Sequence, residues 1–398
     1  MNPQKPSRSI YIMVLAISAW IFFMSGLFAT SNDVLKPFLK DIFDLNQQQS
    51  SLAHFAFFVA YFFMAIPGGR LASRLGYRKA IPLGTFITVL GTAMGIGASV
   101  WGIFELYLVA IFVMASGVAV IVVMINAYVA QVGDPKAAAS RLNLVNAFYG
   151  LGAILGPTLG GRILMEEGVQ PQTIDSLTLY ILFASLALAT LIATLFLKFP
   201  ELDVRKQSIA QIFGTLRHKP LRFGVLAMFI YVGAEVSVGS LMVDYLVDAW
   251  KISKENAAPF VSIYWGSFMV LRLAAAPLGH RVSARQLLRL SVFLSLILIV
   301  FVITGTGTLS GYMALGLGVG HALMFPAIYA LSVNGLGDRT QDAGSLVMMA
   351  AVGGAVISQI HGLLADMVGL HLSYVLSLCC YIYLLWFSYE GSKQPSSH

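Results

Sequence analysis

The sequence predicts an all-α membrane protein with twelve transmembrane helices, arranged as two pseudo-symmetric six-helix bundles around a central cavity. Three observations predict it. Hydrophobic residues make up 58% of the 398-residue chain and charged residues only 11%, whereas soluble domains carry about 25% charged residues. Apolar windows of about 20 residues, the length that crosses a hydrocarbon layer about 30 Å thick, recur from end to end. One long polar run, PELDVRKQSIAQIFGTLRHKP over 200–220, divides those windows into six and six.

The windows centre on residues 10–38, 50–68, 80–100, 103–131, 141–163 and 175–198 before the polar run. They resume at 221–247, 256–279, 284–304, 308–334, 341–365 and 370–389. The first has a basic start and no small-residue cleavage site, so it reads as a retained helix rather than a signal peptide. Its end is open, because Asn32 and Asp33 fall near it. Within the polar run, IAQIF reads as a short surface helix. The organisation is therefore a bundle over 1–199, a linker over 200–220 and a second bundle over 221–398. PGGRLASRLGYRK (67–79) and LRLAAAPLGHRVSAR (271–285) form a weak repeat. Each joins a helix end, a glycine and several arginines in a tight turn.

Charge gives the orientation. Of the 25 lysines and arginines, twenty fall on one side when the termini share it, including Arg74, Arg78, Lys79 and Arg272. Lys36, Lys40, Arg162, Lys251 and Lys254 fall on the other. The positive-inside rule makes the crowded side cytoplasmic. The net charge of +7 is a topology signal scattered over short loops, not a nucleic-acid surface. Cys379 and Cys380 are adjacent in an apolar run, which suits neither a structural disulfide nor a metal site. No P-loop, nucleophile elbow or HExxH occurs, so the chain does not read as an enzyme.

Several stretches carry a resemblance. GGRLASRLGYRK resembles the loop between helices two and three of the major facilitator superfamily, with Ser73 at its usual acidic position. SNDVLKPFLKDIF (31–43), HFAFFVAYFFMAIPGG (54–69), RLNLVNAFYGLGAILGP (141–157), YVGAEVSVGS (231–240) and the run from Phe325 to Ile357 are similar to the fucose–galactose–glucose:proton symporter family. The resemblance implies two halves rocking about one site, taking up hexoses and related sugars with protons or, in some members, sodium. It implies an integral multi-pass protein of the bacterial inner membrane with both termini cytoplasmic. Its partners would be a small solute and the lipid bilayer, its working unit a monomer, and a gradient rather than a cofactor would drive it.

A sugar site needs several donors and acceptors and an aromatic face in a sealable cavity. Polar side chains within the spans are Asn32, Asp33, His54, Asn126, Asn143, Asn146, Tyr149, Glu235, Trp265, His321, Asn334, Gln359 and His361. The expected substrate contacts are Asn32, Asn126, Asn146, Tyr149, Glu235, Trp265 and Gln359. Asp33 matches the family's acid on helix one, which is tied to proton coupling, and His54 reads as structural. Asn126 matches an Asn-Pro pair whose proline is Ala127 here, and the family's acid or amide four residues earlier is Val122. On helix five, Asn146 and Tyr149 stand where the family has a glutamine and an asparagine.

Glu235 is the only charge between Arg222 and Asp244. It lies about 13 residues from Arg222, hence roughly 20 Å along a helix and past the middle of the membrane. A carboxylate there costs about 3 kcal/mol or more unless a partner or a proton offsets it. Glu235 and Asp33 are therefore the expected proton carriers, and Gly233 and Gly239 leave room beside Glu235. Arg74, Arg78 and Lys79 are expected to gate from the cytoplasmic face. GAILGPTLGG (152–161) fits a spacing associated with proton-antiport exporters, and close helix packing without regard to transport direction is the favoured reading of it. An exporter of small organic molecules is thus the second reading, and a non-transporting sensor or scaffold the third.

Overall fold

The computed structural model describes residues 8–132, 138–164, 172–197, 199, 209–275, 282–305, 307–336 and 339–393. Among them every regular element is helical. The first six spans are α1 (Arg8–Ile42), α2 (Leu52–Leu75), α3 (Tyr77–Trp101), α4 (Phe104–Gln131), α5 (Ala138–Leu164) and α6 (Asp175–Phe196). The last six are α7 (Lys219–Trp250), α8 (Lys254–Ala275), α9 (Ala284–Thr304), α10 (Gly307–Val333), α11 (340–368) and α12 (Leu370–Gly391). Eleven of these are both long and apolar enough to cross a membrane. The other, α5, has the length at 27 residues, but glycines and Asn146 dilute its apolar character.

IAQIF forms its short helix as Ile209–Gly214. Residues 200–208 of the linker, and 276–281 of the repeat after α8, lie outside the described residues. The matching turn after α2 is described. Gly76 there has φ of 72°, a left-handed conformation that favours glycine, and it reverses the chain directly from α2 into α3.

The glycine motif of α5 resolves as packing. A Cβ on Gly152 would clash with the Phe23 carbonyl, on Gly156 with Thr30 and Leu27, and on Gly160 with Val34. All four partners belong to α1, so glycines spaced four apart form the groove into which α1 settles. Gly161 faces Ala258 of α8 instead.

Between the two sets of six, α1 meets α7, α2 meets α11 and α5 meets α8. Polar bridges join the sets at the end away from the termini, here called the far end. Lys254 pairs with Asp41 at 2.5 Å and Lys40 with Asp244 at 3.7 Å. Gln47 donates through Nε2 to Asp244 at 2.7 Å, and the amides of Gln47 and Gln48 both donate to Asp366 at 2.9 Å.

Of the charges counted with the connections, Lys36 and Arg272 are drawn along their helices into the interior. α1 continues to Ile42, and Lys36 is 0% exposed within it. Arg272 lies in α8, half-buried, with its Nε donating to the Ala322 carbonyl at 3.0 Å. Pro326 makes that carbonyl available. It offers no N–H to the carbonyl four residues back, and α10 breaks between His321 and Met324. A sequence window scores only average polarity, so it cannot see that a neighbouring helix supplies the partner for a buried cation.

Candidate functional site

Asp33 is the hub. It is 2% exposed, inside α1 rather than at its end. Trp265 of α8 donates its indole N–H to Oδ2 at 2.6 Å, and His54 Nε2 of α2 lies 3.0 Å from Oδ1. A Cβ on Gly239 of α7 would stand 3.2 Å from the Trp265 ring and 3.6 Å from Asp33 Oδ2. That glycine is what lets the indole and carboxylate meet. Four helices, two from each set of six, thus converge on one carboxylate. His54, read from the sequence as structural, is its direct partner.

Glu235 lies one helical turn from Gly239 and is buried. Arg272 is its cationic neighbour, and the Tyr231 hydroxyl lies beside it. Around it runs a hydrogen-bonded chain. Tyr264 donates to the Glu235 carbonyl at 3.0 Å, its hydroxyl lies 2.7 Å from His321 Nδ1, and His321 Nε2 lies 2.7 Å from the Tyr381 hydroxyl. Tyr231 donates to the His321 carbonyl at 3.1 Å, another group freed by the break in α10. Tyr149 of α5 completes the set, with Glu235, Arg272 and Asp33 as its charged neighbours.

The structure therefore brings together Asp33, Glu235, Trp265 and Tyr149, and adds His54 and Arg272. Asn32 turns away from them, donating to the Phe28 carbonyl of its own helix at 3.3 Å. Asn146 is exposed and Asn126 half-buried, and no contact recorded among the described residues joins Asn126 to Asp33 or Glu235. Val122 is packed in the apolar core. Gln359 of α11 is half-buried, with its amide nitrogen making no hydrogen bond to any described group. Arg74, Arg78 and Lys79 are exposed around the Gly76 turn, far along α2 and α3 from the site. A signal for the missed residues existed. Tyr231, Glu235 and Gly239 repeat every four positions, and Arg272 follows Trp265 by seven, so each group shares a helix face.

A match to the family model described as Major Facilitator Superfamily covers residues 18–359. The chain belongs to the major facilitator superfamily. Within the family, a glucose/galactose transporter of Brucella abortus is 34% identical, over 99% of this chain and 97% of that protein. A putative glucose/galactose transporter of Helicobacter pylori is 32% identical, over 99% and 100%. The L-fucose-proton symporter of Escherichia coli is 26% identical, over 91% and 89%. Two solved structures share the fold. The E. coli fucose:proton symporter superposes with a TM-score of 0.74 at 23% identity, over 96% of this chain and 100% of that one. An inward-facing bacterial homologue of the lysosomal transporter Spinster superposes at 0.75 and 14% identity, over 97% and 98%.

Proposed function

We propose that this chain imports a hexose or a related sugar by proton symport, through alternating access of its two halves, 1–199 and 221–398, about the linker 200–220. The observation that carries this reading is the Asp33 cluster. One carboxylate is held simultaneously by His54 from its own half and by Trp265 from the other. A proton gained or lost at Asp33 changes the strength of a charge-assisted bond between the halves, which is the link that a coupled carrier needs. The relatives named as glucose/galactose transporters and as an L-fucose-proton symporter support the choice of solute and ion.

In this reading Trp265 offers the aromatic face. Tyr149, Glu235 and Arg272 supply donors and acceptors beside it, and Asn126, Asn146 and Gln359 join when a sugar is held. Asn32 would first have to leave its bond to Phe28. The far end faces outward across a bacterial inner membrane, and Arg74, Arg78 and Lys79 gate from the cytoplasmic side. The carrier works as a monomer without a cofactor, with sodium as the alternative coupling ion. Antiport export loses its one sequence argument, because the glycines of α5 are occupied in packing α1.

The test uses proteoliposomes. Asp33→Asn, fixed in the neutral state, should abolish sugar accumulation driven by a pH gradient while counterflow exchange continues. Accumulation by Asp33→Asn, or accumulation in the parent that follows sodium rather than the pH gradient, would remove Asp33 as the proton site.

A further inference from the structure

Lys36 lies one turn beyond Asp33 on α1, so the two share a face. Its ammonium is fully buried and makes no hydrogen bond to any described group. Four charges act on it: Asp33 and Lys40 from its own helix, and Asp244 of α7 and Asp366 of α11 from the other half. His361 of α11 is also a neighbour, with neither ring nitrogen hydrogen-bonded to any described group and its ring edge-on to Tyr374 of α12 at 4.8 Å. His54 of α2 approaches from the Asp33 side, its Nδ1 without a hydrogen bond to any described group. Lys254 of α8 acts on the same Asp244.

A buried cation requires an anion, and Lys36 has one candidate within its half and two across the interface. We propose that Lys36 couples the proton to the far-end gate by exchanging these partners. With Asp33 protonated, Lys36 can be compensated only by Asp244 and Asp366, and the attraction draws the two halves together at the far end. With Asp33 ionised, Lys36 is compensated inside its own half, the hold on Asp244 and Asp366 weakens, and the far end opens. An ammonium with no fixed hydrogen bond changes partner without breaking one. The order suits symport, since the loaded carrier shuts behind its cargo and the empty, deprotonated carrier reopens outward.

The inference rests on Asp33 being the proton site, and the experiment separates the two. Ser51 is fully buried at the far end of α2, against Gly362 of α11. Ser51→Cys, in a background where Cys379 and Cys380 are alanine, reports opening through its reaction with a membrane-impermeant maleimide. The thiolate is the reacting form, so each rate is divided by that of a freely exposed cysteine at the same pH. Corrected in this way, labelling of this parent should be faster at alkaline than at acidic pH, by roughly fivefold or more, the low end of ordinary coupling energies. Lys36→Met should abolish that pH ratio, and Asp244→Asn should speed labelling at acidic pH. The second variant carries the test if the first does not fold. A Lys36→Met protein that keeps the parent's ratio, or a parent with no ratio, overturns the role of Lys36. A ratio that survives in Asp33→Asn overturns Asp33 as the proton site instead.

Discussion

Glu235 and Arg272 show how one residue's cost becomes another's function. Glu235 is buried, and Arg272 is the cation that acts on it. Arg272 is further fixed by the Ala322 carbonyl and lies over the Phe268 ring at 5.4 Å. Both carboxylate and guanidinium therefore have capacity left for sugar hydroxyls. Glu235→Gln keeps the shape and removes the charge, leaving Arg272 under-compensated. Hydrogen bonds to charged groups contribute about 1.5–3 kcal/mol, so sugar affinity of the purified protein should fall roughly tenfold or more in calorimetric titration. Unchanged affinity with a lowered melting midpoint would make Glu235 a structural anchor of α7.

At the scale of elements, α1 and α5 are locked by glycines rather than by apolar bulk. In lipid, helices gain little from hydrophobic burial against each other, so close backbone approach supplies the attraction. Gly152→Ala would push a methyl group into the Phe23 carbonyl. Overpacking of this kind costs typically 1–3 kcal/mol, about what a strained core substitution costs in general. The melting midpoint in detergent should fall, while the KM of the protein that remains folded should hold. Gly214→Ala, where nothing stands within 4 Å, is the control and should leave both unchanged. A Gly152→Ala protein as stable as Gly214→Ala would mean that α1 and α5 slide apart at little cost. The break in α10 is the other element-level device. Pro326 frees the Ala322 carbonyl for Arg272, and the His321 carbonyl at the same break accepts from Tyr231, turning a helix defect into part of the site.

For the whole molecule, closure at the far end is shared between a buried layer and an outer one. Lys254 and Asp41 form the outer layer and are partly exposed, with side chains 26% and 40% accessible. Pairs of that kind contribute about 0.2–1 kcal/mol and are screened by salt. Lys254→Gln should therefore raise labelling of the Ser51→Cys reporter only a few-fold at low ionic strength, and the difference should vanish in concentrated salt. A large, salt-independent rise would place the main latch at Lys254 rather than in the buried layer around Lys36.

By itself the sequence determined the helical class, the number of spans and the two acids that a membrane would not tolerate idle. Those properties are local, because the bilayer imposes a length and a polarity on each segment regardless of its neighbours. It also marked Trp265 as a polar aromatic side chain within a span, and Tyr149 through the family resemblance. The tertiary structure alone decided that Trp265 reaches Asp33 across 232 positions, that His54 is the hub's partner, and that Asn32 turns back on its own helix. It also moved Lys36 and Arg272 from the loops into the interior. Each of these depends on which helix faces which. A buried charge is stable only with a compensating partner, and here that partner sits on another helix, as with Asp33 and Trp265, or joins a cluster spanning several helices, as with Lys36.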